Sequence, residues 1–148
     1  MVCIRVLLVD DNDAVRRGLE VFLDTCDDIE VVGAASNGND AVSICQMLLP
    51  DVLVMDVSLG KEDGIDLAAR ICGEYPQIRA LILSGFLDEA LLRRALAVGI
   101  RGYLEKNIPV DVLSDAIRSI YVGEFVFGPT AQEIYKRIRP DSIDDMPQ

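Results

Sequence analysis

Apolar runs of four to six residues alternate along this chain with longer amphipathic stretches, a rhythm that predicts repeated strand–helix units. Strands are expected at Arg5 to Val9, Glu30 to Ala35, Asp51 to Met55, Arg79 to Leu83 and Arg101 to Leu104. Helices are expected between them: Ala14 to Cys26, with Val15, Leu19, Phe22 and Leu23 on one face, then Asn37 to Leu49, Ile65 to Glu74, Asp88 to Val98, and a last one from Pro109 to about Val122. Asn37 or Asn39 suits the cap of the second helix, Pro50 ends it, Gly99 stops the fourth, and Pro109 suits the first turn of the last. Asp51 to Met55 is almost purely apolar after its first residue, as a central strand buried on both faces must be. Five such units joined by right-handed crossovers make an α/β fold with a doubly wound parallel sheet.

The pattern changes after Gly123. EFVFGPTAQEIYKRI allows a short extra helix from Thr130 to Ile138, and RPDSIDDMPQ is acidic, holds two prolines and has little to bury, so 123–148 reads as an extension and linker beyond a domain at 1–122.

Composition narrows the function. The chain has 148 residues, 51% of them hydrophobic, which suffices for one domain with a real core. A net charge of −11 argues against nucleic acid or an anionic membrane as a direct partner, since both call for a basic face. No apolar stretch approaches the roughly 20 residues of a spanning helix, and MVCIRVLLVDD lacks the build of a signal peptide, so a soluble cytoplasmic protein is expected. Cys3, Cys26, Cys45 and Cys72 show no paired spacing and there is no histidine, which leaves no set of zinc ligands. Any phosphoryl chemistry must therefore run through carboxylate.

Four of the predicted strands end on reactive side chains: RVLLVDD on Asp10 and Asp11, VLVMD on Asp56, LILS on Ser84 and GYLEK on Lys106. In an open parallel sheet the carboxyl ends of the strands share one rim, and ligands bind there. Adjacent carboxylates at Asp10 and Asp11 beside Asp56 are most simply kept ionised by a divalent cation, and an oxygen-only donor set favours Mg²⁺. Asp56 could act as a nucleophile toward phosphorus, giving an aspartyl phosphate, with Lys106 as the neutralising ammonium and Ser84 as a hydrogen-bond donor to the phosphoryl group. Each residue alone is unremarkable. Their joint occurrence, in order, at four strand ends carries the reading.

These residues make the chain similar to the receiver domains of bacterial two-component response regulators, over residues 4 to 122. The resemblance implies a flavodoxin-like five-stranded sheet of order 2-1-3-4-5. It matches the acidic pair to Asp10 and Asp11, the phosphorylated aspartate to Asp56, the hydroxyl residue to Ser84, an aromatic switch to Tyr103 and the lysine to Lys106, with Mg²⁺ on Asp11, Asp56 and the carbonyl of Ser58. It also implies a sensor histidine kinase as phosphodonor, later hydrolysis by the receiver itself, and an output face that changes as Ser84 moves inward and Tyr103 rotates. Kinase specificity is expected on the first helix, at Val15, Arg16, Leu19 and Glu20.

GIRGYLEKN followed by VLSDAIRSIYVGEFVFGP resembles the receivers of LuxR-type (NarL/FixJ) regulators, which continue into a helix-turn-helix. The expectation is a receiver cut from a longer transcription regulator that dimerises on phosphorylation and binds DNA through a domain not present here. Three departures stand out. Gly60 replaces the family's usual proline four residues after the acceptor, Asn107 replaces the proline that often follows the lysine, and the bulky Phe86 beside Ser84 predicts a long-lived acyl phosphate.

A second reading comes from Asp11-Asn12-Asp13-Ala14-Val15, which fits the D-x-D-x-V signature of haloacid-dehalogenase-like phosphatases, with Asp11 as nucleophile and Asp13 as general acid. It leaves Asp56 without a role and lacks the later paired acidic ligands.

Overall fold

The structure, a computed structural model, describes residues 2–138. Strand β1 (Ile4–Val9) leads into helix α1 (Asp13–Leu23), then β2 (Ile29–Ala35), α2 (Gly38–Leu48) and β3 (Val52–Asp56). A short hairpin of β4 (Ser58–Leu59) and β5 (Glu62–Asp63) precedes α3 (Gly64–Glu74), β6 (Arg79–Ser84), α4 (Glu89–Ala97), β7 (Gly102–Glu105) and α5 (Val110–Tyr121). The described part closes with β8 (Val126–Phe127) and α6 (Pro129–Ile138).

The main sheet is parallel and runs β2-β1-β3-β6-β7-β8. Its first five members are the five predicted strands, in the predicted order 2-1-3-4-5. The sheet is six-stranded rather than five-stranded, however, because Val126 and Phe127 pair with Gly102 and Tyr103. The chain after Gly123 is thus folded back through Ile138: the extra helix expected from Thr130 to Ile138 is α6, and the short strand before it was not foreseen. Two guanidinium groups steer the return: Arg79 donates to the carbonyls of Ile120 and Tyr121 at the end of α5, and Arg101 donates to that of Gly123 and lies 5.0 Å over the Phe125 ring. The acidic stretch read as a linker, 139–148, lies outside the described residues.

Strand alternation splits the core in two. Leu7, Val9, Leu53, Met55, Ile82 and Tyr103 point to the face covered by α2, α3, α4 and α6. Val6, Leu8, Val54, Leu81, Leu83 and Leu104 point to the face covered by α1 and α5. Apolar residues on both faces explain why β3 reads as a continuous run. Four helices open on a side-chain cap: Asn12, Asn37, Asp63 and Asp88 each accept a backbone N–H from the first turn. Helix α1 stops at Leu23, three residues short of the predicted Cys26, where the chain turns through Asp24 to Cys26. Among the described residues no helix is long and apolar enough to cross a membrane, and there is no cis peptide bond.

Candidate functional site

Parallel pairing brings the ends of β1, β3, β6 and β7 to one rim, and backbone hydrogen bonds fix their heights. The N–H of Val57 donates to Leu83 at 3.0 Å and that of Lys106 to Ser84 at 2.9 Å. Asp11, Asp56, Ser84 and Lys106 consequently line one cleft of about 690 Å³, with Phe86, 70% exposed, at its lip and buried Asp10 joined to it through Lys106.

Asp56 forms the floor. It is 5% exposed; its Oδ2 accepts from Lys106 Nζ at 2.8 Å and its Oδ1 from the Ser58 N–H at 3.1 Å. Burial raises its pKa above the ordinary carboxylate range, outweighing the bonds from Lys106 and Ser58 that pull it down. Lys106 also reaches Asp10 Oδ2 at 3.2 Å. Burial works to lower the ammonium pKa, but bonds to Asp56 and Asp10 more than offset this and leave it raised. The site therefore holds its lysine charged and aimed between two carboxylates.

Asp10 is 4% exposed; its Oδ1 accepts from the Asn12 N–H at 2.8 Å, and its carbonyl accepts from Arg16 Nη1, also at 2.8 Å. Asp11 is exposed, and its Oδ2 accepts from the N–H of Gly60 at 2.9 Å. Ligand atoms of Asp10, Asp11 and Asp56 lie within 4.8 Å of one another. Three carboxylates at that spacing, open to solvent at Asp11, are a donor set suited to a hard divalent cation. Ser58, whose carbonyl was expected to join them, lies beside Asp56 on the cleft wall.

Ser84 donates to the carbonyl of Phe86 and accepts from the Phe86 N–H at 3.2 Å, so in this state its hydroxyl serves its own loop. Tyr103 is fully buried. Its hydroxyl neighbours Ser84 yet has no hydrogen-bond partner among the described residues, and burial pushes its pKa up to about 12. Phe127 lies beside it on β8, and Ala131, Ile134 and Tyr135 of α6 belong to the same core.

Three site groups escaped sequence reading. Arg16, assigned to a kinase-facing surface, turns inward: it bonds the Asp10 carbonyl and reaches Asp13 at 2.6 Å. The Gly60 N–H that holds Asp11 is a backbone donor exposed by a left-handed turn at φ 60°, for which a glycine in a charged loop is at most a hint. Glu62 bonds the N–H of Gly38 at 2.9 Å and ties the acceptor loop to α2, a contact between residues with no shared pattern.

A response regulator receiver domain profile matches residues 6–118. The chain belongs to the response-regulator receiver family. Response regulator protein VraR of Staphylococcus epidermidis is 38% identical over 126 residues, which are 85% of this chain and 60% of that protein. The chain thus spans less than two thirds of the length of such relatives. Among solved structures, a LuxR-family two-component response regulator from Aurantimonas superposes with a TM-score of 0.88 at 27% identity, covering 94% of this chain and 99% of that one. The signal receiver domain of the putative response regulator NarL from Mycobacterium tuberculosis gives 0.79 at 27% identity, over 84% and 100%. The receiver is a module of two-component signalling, not an enzyme in the ordinary sense, and LuxR-type regulators are its kin.

The phosphatase alternative finds no support in these matches. It also fits the geometry poorly: Asp11 is an exposed carboxylate bonded to a loop amide, while the carboxylates facing the lysine are the buried Asp56 and Asp10.

Proposed function

We propose that Asp56 is the phosphoacceptor, taking a phosphoryl group from a phosphohistidine on a sensor histidine kinase. The observation that carries this is the pairing of buried Asp56 with Lys106 at 2.8 Å, at the bottom of a cleft otherwise open to solvent. Oδ1, on the Ser58 side, is the oxygen left clear of the lysine to form the new bond to phosphorus as the bond to the donor nitrogen breaks. Lys106 stays on Oδ2 and, as an ammonium, neutralises the incoming charge.

Asp11, Asp56 and the Ser58 carbonyl, with Asp10 beside them, would hold Mg²⁺, which supplies charge neutralisation at the phosphoryl oxygens. The Ser84 hydroxyl exchanges its bond to the Phe86 carbonyl for one to the phosphoryl group. Tyr103, already buried next to it, then settles its ring in the space vacated, and α4 and β7 adjust. Phe86 at the lip shields the acyl phosphate from water and prolongs its life; loss of label within seconds at neutral pH would contradict that role.

The relatives' greater length and the LuxR-type likeness support a larger cytoplasmic protein. In it, phosphorylation of this receiver promotes a homodimer and lets a helix-turn-helix domain bind DNA and regulate transcription. Phosphoramidate, a small donor with a phosphorus–nitrogen bond, tests the site without the kinase. Labelling should need Mg²⁺ and stop on chelation; equal labelling with and without the cation would overturn the assignment.

A further inference from the structure

We propose that the β4–β5 hairpin is a positioning device for the divalent cation, in which the Gly60 N–H aims the Asp11 carboxylate and Glu62 anchors the hairpin. This rests on the reading of Asp10, Asp11 and Asp56 as the cation site.

Asp11, two residues beyond the end of β1, is the exposed member of the three, and among the described residues its side chain bonds to the Gly60 N–H alone. Fixing such a side chain costs rotamer entropy on binding, so a group that fixes it beforehand raises affinity. Gly60 does this from a residue 49 positions away, donating to Oδ2 at 2.9 Å. Held there, the Asp11 carboxylate keeps a ligand oxygen within 4.8 Å of those of Asp10 and Asp56. The turn that aims this N–H has φ 60° at Gly60, a conformation that side-chain-bearing residues other than Asn and Asp resist.

A hairpin of two paired residues per strand, Ser58 with Asp63 and Leu59 with Glu62, does not stand alone in water. It is held by the burial of Leu59, by Asp63 capping α3 and pairing with Arg94 of α4 at 2.9 Å, and by Glu62. The Glu62 carboxylate accepts the Gly38 N–H in the first turn of α2, where the helix dipole favours an anion. Room for it exists because residue 38 is glycine: a Cβ there would collide with the Glu62 carboxylate. Glu62 thus touches neither cation nor substrate; it acts through the hairpin.

Free Mn²⁺ counted by electron paramagnetic resonance, with Mg²⁺ in competition, measures the effect, and amide hydrogen exchange at Gly60 reports hairpin order. Glu62→Ala should weaken Mn²⁺ binding about 10-fold, the low end for a partner outside the ligand set, and speed exchange at Gly60. Glu62→Gln keeps an acceptor oxygen and should restore most of the affinity. Gly60→Asn keeps the donor and tolerates the left-handed turn, so it should bind nearly as the native protein, whereas Gly60→Pro removes the donor and should bind several-fold more weakly. Should Gly60→Pro not fold, the Glu62 pair decides. Native affinity in Glu62→Ala, or in a folded Gly60→Pro, overturns the hairpin's role while leaving the cation site standing; a native protein that binds neither Mn²⁺ nor Mg²⁺ overturns both.

Discussion

Tyr103 carries its hydroxyl into the core without a hydrogen-bond partner among the described residues, an arrangement that usually costs stability. Tyr103→Phe should therefore leave the resting protein as stable as before or more stable by up to about 1 kcal/mol; chemical denaturation checks this, and a clear loss would mean that the hydroxyl is bonded after all. Gly64 predicts the reverse. Any Cβ there would run into the Asp56 carbonyl, so Gly64→Ala should cost about 1–3 kcal/mol and disturb the acceptor loop. The side chains at this rim were legible because each closes an apolar run, and a strand's end is where its chemistry points. The Gly60 donor and the Glu62 anchor were not, since a backbone N–H becomes a ligand-holding group only through a turn that composition does not specify.

At the scale of elements, β8 is the addition to the expected architecture. Two paired residues are too few to show a period, and Gly128-Pro129 reads as punctuation, so the stretch resembles a loop until Phe127 is seen beside Tyr103. The helix after it was readable because Ala131, Ile134 and Tyr135 recur at helical spacing and are buried together. Phe127→Ala should cost about 3 kcal/mol; a loss below about 0.5 kcal/mol would show that the return strand contributes little.

The last long helix is tied down separately, Arg118 gripping Asp28 through two bonds of 2.8 and 3.1 Å. The Arg118 bond holds the Asp28 pKa below the ordinary value even though some burial opposes it. With the folded value lower than the unfolded one, the pair stabilises the fold above pH about 3.9 and the contribution disappears as pH falls through the folded value. Both side chains are about a third exposed, which limits the pair to roughly 1 kcal/mol or less. Denaturation followed between neutral and acid pH should show Asp28→Asn less stable near neutrality and converging on the native protein in acid; a constant gap would remove the ion pair as the cause.

Over the whole molecule, a sheet buried on both faces supports a rim that is chemically dense, and the chain carries a net charge of −11. Asp56 ends β3, Ser84 ends the neighbouring β6, and Tyr103 and Lys106 stand on and just after β7, so a charge added at Asp56 would act on packing across adjoining strand ends. The central claim is that Asp56, and not its acidic neighbours, becomes phosphorylated. Incubation with acetyl phosphate and Mg²⁺, reduction of the acyl phosphate with borohydride and mass mapping of the peptides tests it most directly. The account predicts modification at Asp56 and none in Asp56→Asn; modification at Asp11, or undiminished labelling of Asp56→Asn, would contradict it.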